Sequence, residues 1–474
     1  MYEDENSENE WGKDEFEIIQ MVSDYEKAIK NQQAVFFDHD KYEQIIDFYE
    51  DNHKKESALD TVELALIQYP YSSTFMIRKA QLLIEKGAYD EAEEWINKAS
   101  LLDGEDMSIC LTRADLYVWQ GKHHEAIKIV KDFLEKADDE DKEDLYLELA
   151  DIYEDCERYD KVVYCLKKAV MFNEDSDEAL NRLWFCTELL ENYELMVDFY
   201  KELIDKNPYN VLAWFNLAHC YVGLDLWEKG IEAFEYVIAI DEKFEDAYVD
   251  CADIYFNLKN YNKAIELYLS ANTLARVSKE VYFQVGLCHE KLKLPNKART
   301  YYRKALTVDA EYDEAFFRIG ETYKSEKRYR EAISSIERAS KIYPDNVYYQ
   351  KALAEIYIIL EEYNEAVKIY KELIESDGSK KWQWIDLATT LYQNDEKDES
   401  IEILDEAISR FKKKAELFYA KSAILYNLGK RKESIENLEQ GLSLKFKHHY
   451  IIFAISNQMK SDNEVLNLIE QYKI

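Results

Sequence analysis

Residues 211–244 read VLAWFNLAHCYVGLDLWEKGIEAFEYVIAIDEKF, and residues 245–278 read EDAYVDCADIYFNLKNYNKAIELYLSANTLARVS. Laid one above the other, the two stretches share a small residue in eighth place (Ala218, Ala252) and a tyrosine in eleventh (Tyr221, Tyr255). A second small residue stands in twentieth place (Gly230, Ala264). Each stretch is therefore one helix–turn–helix unit, with small residues where its two helices cross and can approach closely.

The same unit extends in both directions at a fixed interval. Pro208 and Pro344 are 136 residues apart, four periods of 34, and Pro70 precedes Pro208 by two residues more than that. Cutting at this period gives twelve units, starting at His39, Ser73, Met107, Glu143, Asp177, Val211, Glu245, Lys279, Asp313, Val347, Lys381 and Ala415. The surplus of two falls near Ala137-Asp138-Asp139-Glu140 in the third unit. The eighth and the twentieth residues are each Ala, Gly or Ser in ten of the twelve. Tyr recurs in eleventh place in seven units, where a ring fills the space between neighbouring pairs. Gly87, Gly121 and Gly429 share the fifteenth place, suited to closing a helix in the left-handed conformation. The unit at Asp177 breaks the pattern twice, with Trp184 and Met196 at the crossing positions, so a local irregularity is expected there.

Trp214, Leu217, Ala218, Tyr221, Gly230 and Phe234, then Tyr248, Ala252, Tyr255, Ala264, Tyr268 and Ala271, resemble the tetratricopeptide consensus, and the period is the length of that repeat. The resemblance covers residues 39–448 and implies an all-α, right-handed superhelical solenoid of about twelve repeats, whose first helices line a concave groove. Residues 1–17 hold eight acids and one lysine and are expected as a flexible acidic tail. Residues 18–38 are expected as an amino-terminal capping helix, and residues 449–474 as a closing helix over the last apolar face. The capping segment is too short for the DNA-binding domain of the transcription regulators that carry such repeats.

Composition narrows the partners. Lys plus Arg total 60 against 97 Asp plus Glu, and the net charge of −37 opposes contact with nucleic acid or an anionic membrane. No apolar run approaches the roughly 18 residues of a membrane span, and no basic-then-apolar leader opens the chain, so a cytoplasmic location is expected. The seven cysteines, Cys110, Cys156, Cys165, Cys186, Cys220, Cys251 and Cys288, form no CxxC pair and are expected as reduced core residues. No phosphate loop, GxGxxG, HExxH or GxSxG occurs, and nearly every residue belongs to a repeat, so neither catalysis nor a cofactor is expected. His123-His124 and His448-His449 are adjacent pairs that point apart, and no metal is expected of them.

Acidic residues carry the functional signal. The ninth residue of a unit is expected to face the groove, and it is acidic in six units: Asp47, Asp115, Asp151, Asp253, Glu321 and Glu355. Glu148 and Asp250 are expected to point inward beside them. This place is mid-helix, beyond the reach of the helix dipole that accounts for acids at a helix start. The arrangement of lysines, an arginine and asparagines with which co-chaperone members of the family grip a terminal carboxylate is missing; Asn216 and Arg318 are isolated partial matches, and the places where lysines would stand are mostly acidic or apolar. The expected function is a non-catalytic scaffold or adaptor holding a basic or amphipathic partner segment in an acidic groove. The alternatives are a regulatory subunit of an envelope, secretion or signalling assembly using its convex face, and a small-ligand or lipid carrier. Basic runs at Lys412-Lys413-Lys414 and Lys430-Arg431-Lys432 leave residues 381–474 nearly neutral, so a monomer with weak, salt-sensitive self-association is expected.

Overall fold

The computed structural model describes residues 4–31, 36–104, 106–274 and 278–473, with side chains from Glu17 onward. The protein is an all-α solenoid of helical hairpins, and no strand occurs among the described residues. It forms two compact units, Met1–Asp241 and Glu242–Ile474. In the first, six hairpins run from His39–Asp51 with Lys55–Gln68 to Val211–Gly223 with Trp227–Ile240. In the second, six run from Glu245–Asn257 with Tyr261–Leu274 to Ala415–Asn427 with Arg431–Leu444. The two-residue surplus is a short 3-10 turn, Asp139–Asp141.

Local chemistry explains where helices start and stop. Asp38, Ser72, Asp106, Ser176, Asn210, Ser278 and Asn346 each precede a first helix and accept a hydrogen bond from one of its opening amides. Each first helix ends at a fifteenth residue with positive φ. Three of these are the glycines already noted; the other nine are His53, Glu157, Glu191, Asp225, Lys259, Lys293, Lys327, Glu361 and Asp395, with φ between 50 and 65°. In eleven of the twelve turns the sixteenth residue's amide donates back to the eleventh residue's carbonyl, as from Lys54 to Tyr49 at 2.8 Å and Leu226 to Tyr221 at 2.8 Å. This is the Schellman closure, which satisfies carbonyls the helix leaves orphaned.

Within a hairpin, a large residue in twenty-fourth place seats on the small one in eighth. Tyr268, Tyr302 and Ile336 are fully buried against Ala252, Gly286 and Gly320. A methyl group on Gly286 would come within 2.4 Å of the Tyr302 ring, and one on Gly320 within 2.4 Å of Ile336. Each such burial contributes about 1.5–3 kcal/mol.

The unit at Asp177 departs from this plan. Tyr200, its twenty-fourth residue, is fully buried, so the Trp184 ring has no room at the crossing and turns outward to 37% exposure, while Met196 remains buried. The backbones of helices Asp177–Leu190 and Tyr193–Lys206 stand farther apart than those of every other hairpin, bridged by side chains such as Tyr193, whose hydroxyl donates to Glu188 at 3.3 Å, and both helices pack on Val211–Gly223. The Schellman amide bond is the one missing here, with Glu191 donating weakly to Glu188 at 3.4 Å. The expected irregularity is an opened hairpin.

At the amino end, helix Asp4–Lys30 starts well before residue 18. Val22 and Tyr25 bury against the first hairpin, and the Tyr25 hydroxyl bonds Thr61 Oγ1 at 3.1 Å. Residues 1–3 of the acidic segment and 32–35 of the capping segment lie outside the described residues. At the other end, residues 449–474 contain two short helices, Tyr450–Ile455 and Asn463–Gln471, where one closing helix was expected. Extended backbone at Ser456 and the cap at Asp462 divide them, and Asp462 is held by Tyr426 at 2.5 Å and Arg431 at 2.7 Å. Ile452, Met459 and Val465 still cover the last hairpin's apolar face.

The left-handed turns yield a stability test. An L residue there costs about 1–2 kcal/mol, part of which glycine's greater chain entropy offsets. Lys293→Gly and Asp395→Gly should each stabilise by about 0.5–1 kcal/mol, and Gly121→Val should destabilise by more, read as shifts in thermal midpoint. No gain at either lysine or aspartate position would contradict the strain described.

Candidate functional site

Sixth, ninth and twelfth residues of a first helix lie on one face, because three- and four-residue spacings bring side chains together. Arginines in sixth place reach back across the hairpin boundary to the preceding unit. Arg78 pairs with Asp47 and with Glu50 at 2.8 Å, and Arg182 pairs with Asp151 at 2.5 Å and Glu154 at 3.0 Å. In the second unit, Arg318 approaches Glu290 at 3.7 Å, Lys324 holds Glu355 at 2.9 Å and Glu321 at 3.8 Å, and Lys351 meets Asp386 at 3.5 Å. These half-exposed pairs contribute little stability, on the order of 0–1 kcal/mol each. They do offset part of the acidic charge.

The eight residues expected to form the groove thus fall into distinct groups. Asp47, Asp151, Glu321 and Glu355 carry internal counter-ions. Asp253 accepts a short hydrogen bond from the Tyr268 hydroxyl, and burial, opposed by that bond, raises its pKa, with Asp250 adding to the rise. Asp115 and Glu148 have no ion pair among the described residues. They stand on consecutive first helices, Met107–Trp119 and Lys142–Asp155. Burial, then the charges of Asp115, Asp151 and Asp155, push Glu148 up to about 7. Asp115 is raised too, by burial and by Asp151. Arg182 pulls Asp151 down, yet burial leaves it above its ordinary value. Two half-buried carboxyls without a cation are the electrostatic vacancy of this face. Asp115 also lines a cleft of about 480 Å³ with Glu50, Arg78, Gln81 and Trp119.

Apolar side chains interrupt the acids. Phe185 stands ninth in the opened unit, 51% exposed, and Leu189, one turn later on the same face, is 50% exposed. The Trp184 ring lies 5.4 Å from that of His219, the ninth residue of the next unit. In the second unit a pocket of about 350 Å³ is walled by Ile358, Trp382, Ile385, Asp386, Tyr450 and Ile455.

The arginines and lysines on this face were not recognised from sequence. For the arginines the signal was the sixth place, which holds Arg78, Arg182 and Arg318 in three units and the acids Glu148, Asp250 and Asp386 in three others; Lys324 and Lys351 stand in twelfth and fifth place and carry no such signal. Other chemistry is accounted for by structure. All seven cysteines are free, six are buried, and burial pushes Cys165, Cys220 and Cys288 up to about 12, which keeps those thiols protonated. His448 pairs with Glu416 at 2.5 Å, and the His449 ring contacts the Phe446 carbonyl at 2.9 Å. His39, Asp40 and Glu43 are near enough to share an ion, although His39 is already engaged by Ser72 Oγ at 2.9 Å and stacked on Phe75. Among the described residues, no helix is long and apolar enough to cross a membrane.

The Glu148 shift has a defined sign. Below its ordinary value of 4.5 the side chain is protonated folded or unfolded; between there and about 7 only the folded chain keeps the proton, so folding stability falls as pH rises and stays lower above 7. Glu148→Gln should therefore stabilise the protein near pH 8, by roughly 1–2 kcal/mol after allowance for solvent screening, and leave it unchanged near pH 4. Urea titrations at the two pH values test this; equal stability of variant and parent near pH 8 would contradict it.

Comparison with known proteins agrees with the geometry. One tetratricopeptide repeat model matches residues 73–106, 245–277, 347–380 and 415–448, and another matches residues 292–356. No curated protein matches the chain. Among solved structures, the C-terminal part of a TPR repeat-containing protein from Cytophaga hutchinsonii is 16% identical, covering 50% of this chain and 98% of its own, with a TM-score of 0.43. MamA is 21% identical over 34% of this chain and 95% of its own, with a TM-score of 0.32. YrrB, described as a TPR protein with an unusual peptide-binding site, is 18% identical over 38% of this chain and 93% of its own, with a TM-score of 0.32. With twelve hairpins in one 34-residue phase and repeat models seated in both compact units, the chain is a multi-repeat tetratricopeptide protein.

Proposed function

We propose that this protein is a non-catalytic scaffold that holds a basic or amphipathic segment of a partner protein against the face of its first helices. Binding of peptides or proteins is the general role of tetratricopeptide arrays; the chemistry of the segment is inferred from the face itself. The observation that carries it is the pair Asp115 and Glu148, two half-buried carboxyls that lack a cation. Asp47, Asp151 and Asp253 extend the acidic character on either side, and Arg78 and Arg182 hold neighbouring acids in place. A lysine or arginine from a partner would supply the missing counter-charge and favour ionisation of Glu148, so binding would release a proton near neutral pH. A basic peptide also gains from the wider field of an acidic surface, chiefly in association rate.

The double variant Asp115→Lys, Glu148→Lys should weaken binding of a Lys/Arg-containing peptide by at least about tenfold at low salt and flatten its salt dependence. Circular dichroism should show unchanged helix content, because neither side chain belongs to the apolar core. Fluorescence anisotropy across a salt series reads both quantities. Equal affinity for variant and parent would rule out the acidic face as the binding surface.

A further inference from the structure

We propose that Phe185 and Leu189 form an anchor subsite for one large apolar side chain of a partner segment, with cationic residues of that segment three and six positions away. The proposal rests on the reading that the first-helix face binds a basic segment, and adds an apolar anchor and a register. Both residues stand on Asp177–Leu190, the first helix of the opened hairpin. Tyr200 fills the crossing, Trp184 is turned out, and Phe185 and Leu189 stand half-exposed a helical turn apart. Single exposed apolar residues are ordinary; Phe185 and Leu189 together, next to first helices that carry Asp115, Glu148 and Asp151, mark a contact surface.

The neighbouring charges identify the occupant. Asp115, Asp151 and Phe185 are the ninth residues of three consecutive units. On the Asp115 side lie the two carboxyls without counter-ions, so a segment seated on Phe185 continues over an anionic floor. A helix is about 10 Å across and an extended chain advances about 3.3 Å per residue, so stepping from one first helix to the next takes about three residues of bound segment. A cation three positions from the anchor then lies over Glu148, beside the Arg182–Asp151 pair, and a second, three further on, over Asp115. The segment's pattern is cation-x-x-cation-x-x-apolar, in one chain direction or the other.

The test uses the full-length chain and fluorescent peptides with the pattern K-x-x-K-x-x-F, in both directions. Control peptides replace Phe by Ser, move Phe by two positions, or replace both Lys by Ser. In anisotropy at low salt, the patterned peptide in its better direction should bind at least about tenfold tighter than its Ser-anchor and shifted-anchor controls. The protein variant Phe185→Ser, Leu189→Ser should abolish that preference while keeping the lysine dependence, and Asp115→Asn, Glu148→Gln should do the reverse. If the Phe and Ser peptides bind equally and both require lysine, the anchor is overturned while the acidic-face reading stands. If Phe binds regardless of lysine and salt, the acidic-face reading and the proposed register fall, although an apolar contact remains. If no peptide binds, both fall. Sedimentation velocity adds a last arm: loss of a parent dimer in Phe185→Ser, Leu189→Ser would make the step a contact between copies and overturn the proposal.

Discussion

The structure depends on one close contact repeated along the chain, a large side chain in twenty-fourth place pressed onto a residue with almost no side chain in eighth. Where the partners are Gly286 and Tyr302, or Gly320 and Ile336, even one added methyl group has no space. That approach sets the distance between the two helices of a hairpin. It thereby sets where first-helix residues of successive units stand, and the line of ninth-place side chains, acidic in six of the twelve units, follows from it. Tyr268 shows the link directly: its ring fills the crossing beside Ala252, and its hydroxyl emerges on the far side to bond Asp253.

Much of this was legible in the sequence because it repeats. Small residues at two fixed places and tyrosines at a third reveal a period, and a period of helical hairpins leaves few alternatives for the fold. The left-handed turn was legible only where glycine marked it. Nine further turns adopt the same conformation with His, Lys, Asp or Glu; in eight of them, all but Glu191, the Schellman bonds and the hairpin packing outweigh the local preference of those residues. The capping segments were less readable. Nothing periodic constrains them, and the break at Ser456 depends on Asp462 finding Tyr426, thirty-six residues earlier.

The candidate site was legible as composition and not as pairing. Acids in ninth place could be counted, but whether each is free depends on its partner: an arginine of the next unit for Asp47 and Asp151, Lys324 for Glu321 and Glu355, and a tyrosine hydroxyl for Asp253. Arg78 and Arg182 turn Asp47 and Asp151 into partners, and the same place occupied by Glu148 instead concentrates negative charge. The basic residues of the carboxy-terminal region behave similarly. Lys381 is engaged by Glu416 at 2.8 Å and Arg431 by Asp462 at 2.7 Å, so part of the positive charge counted there is neutralised within the unit. Lys412, Lys413 and Lys414 remain exposed between the helices Lys397–Phe411 and Ala415–Asn427.

The opened hairpin also matters for how the first unit carries load. A stack of repeats under tension behaves as springs in series, so its compliance is set by the softest link rather than by the average one. Eleven turns carry the Schellman bond and closely packed helices; the turn at Glu191 lacks the bond, and the backbones of its two helices stand apart. At residues 177–210 load therefore passes through Val211–Gly223, on which both helices pack, rather than directly from one helix of the hairpin to the other.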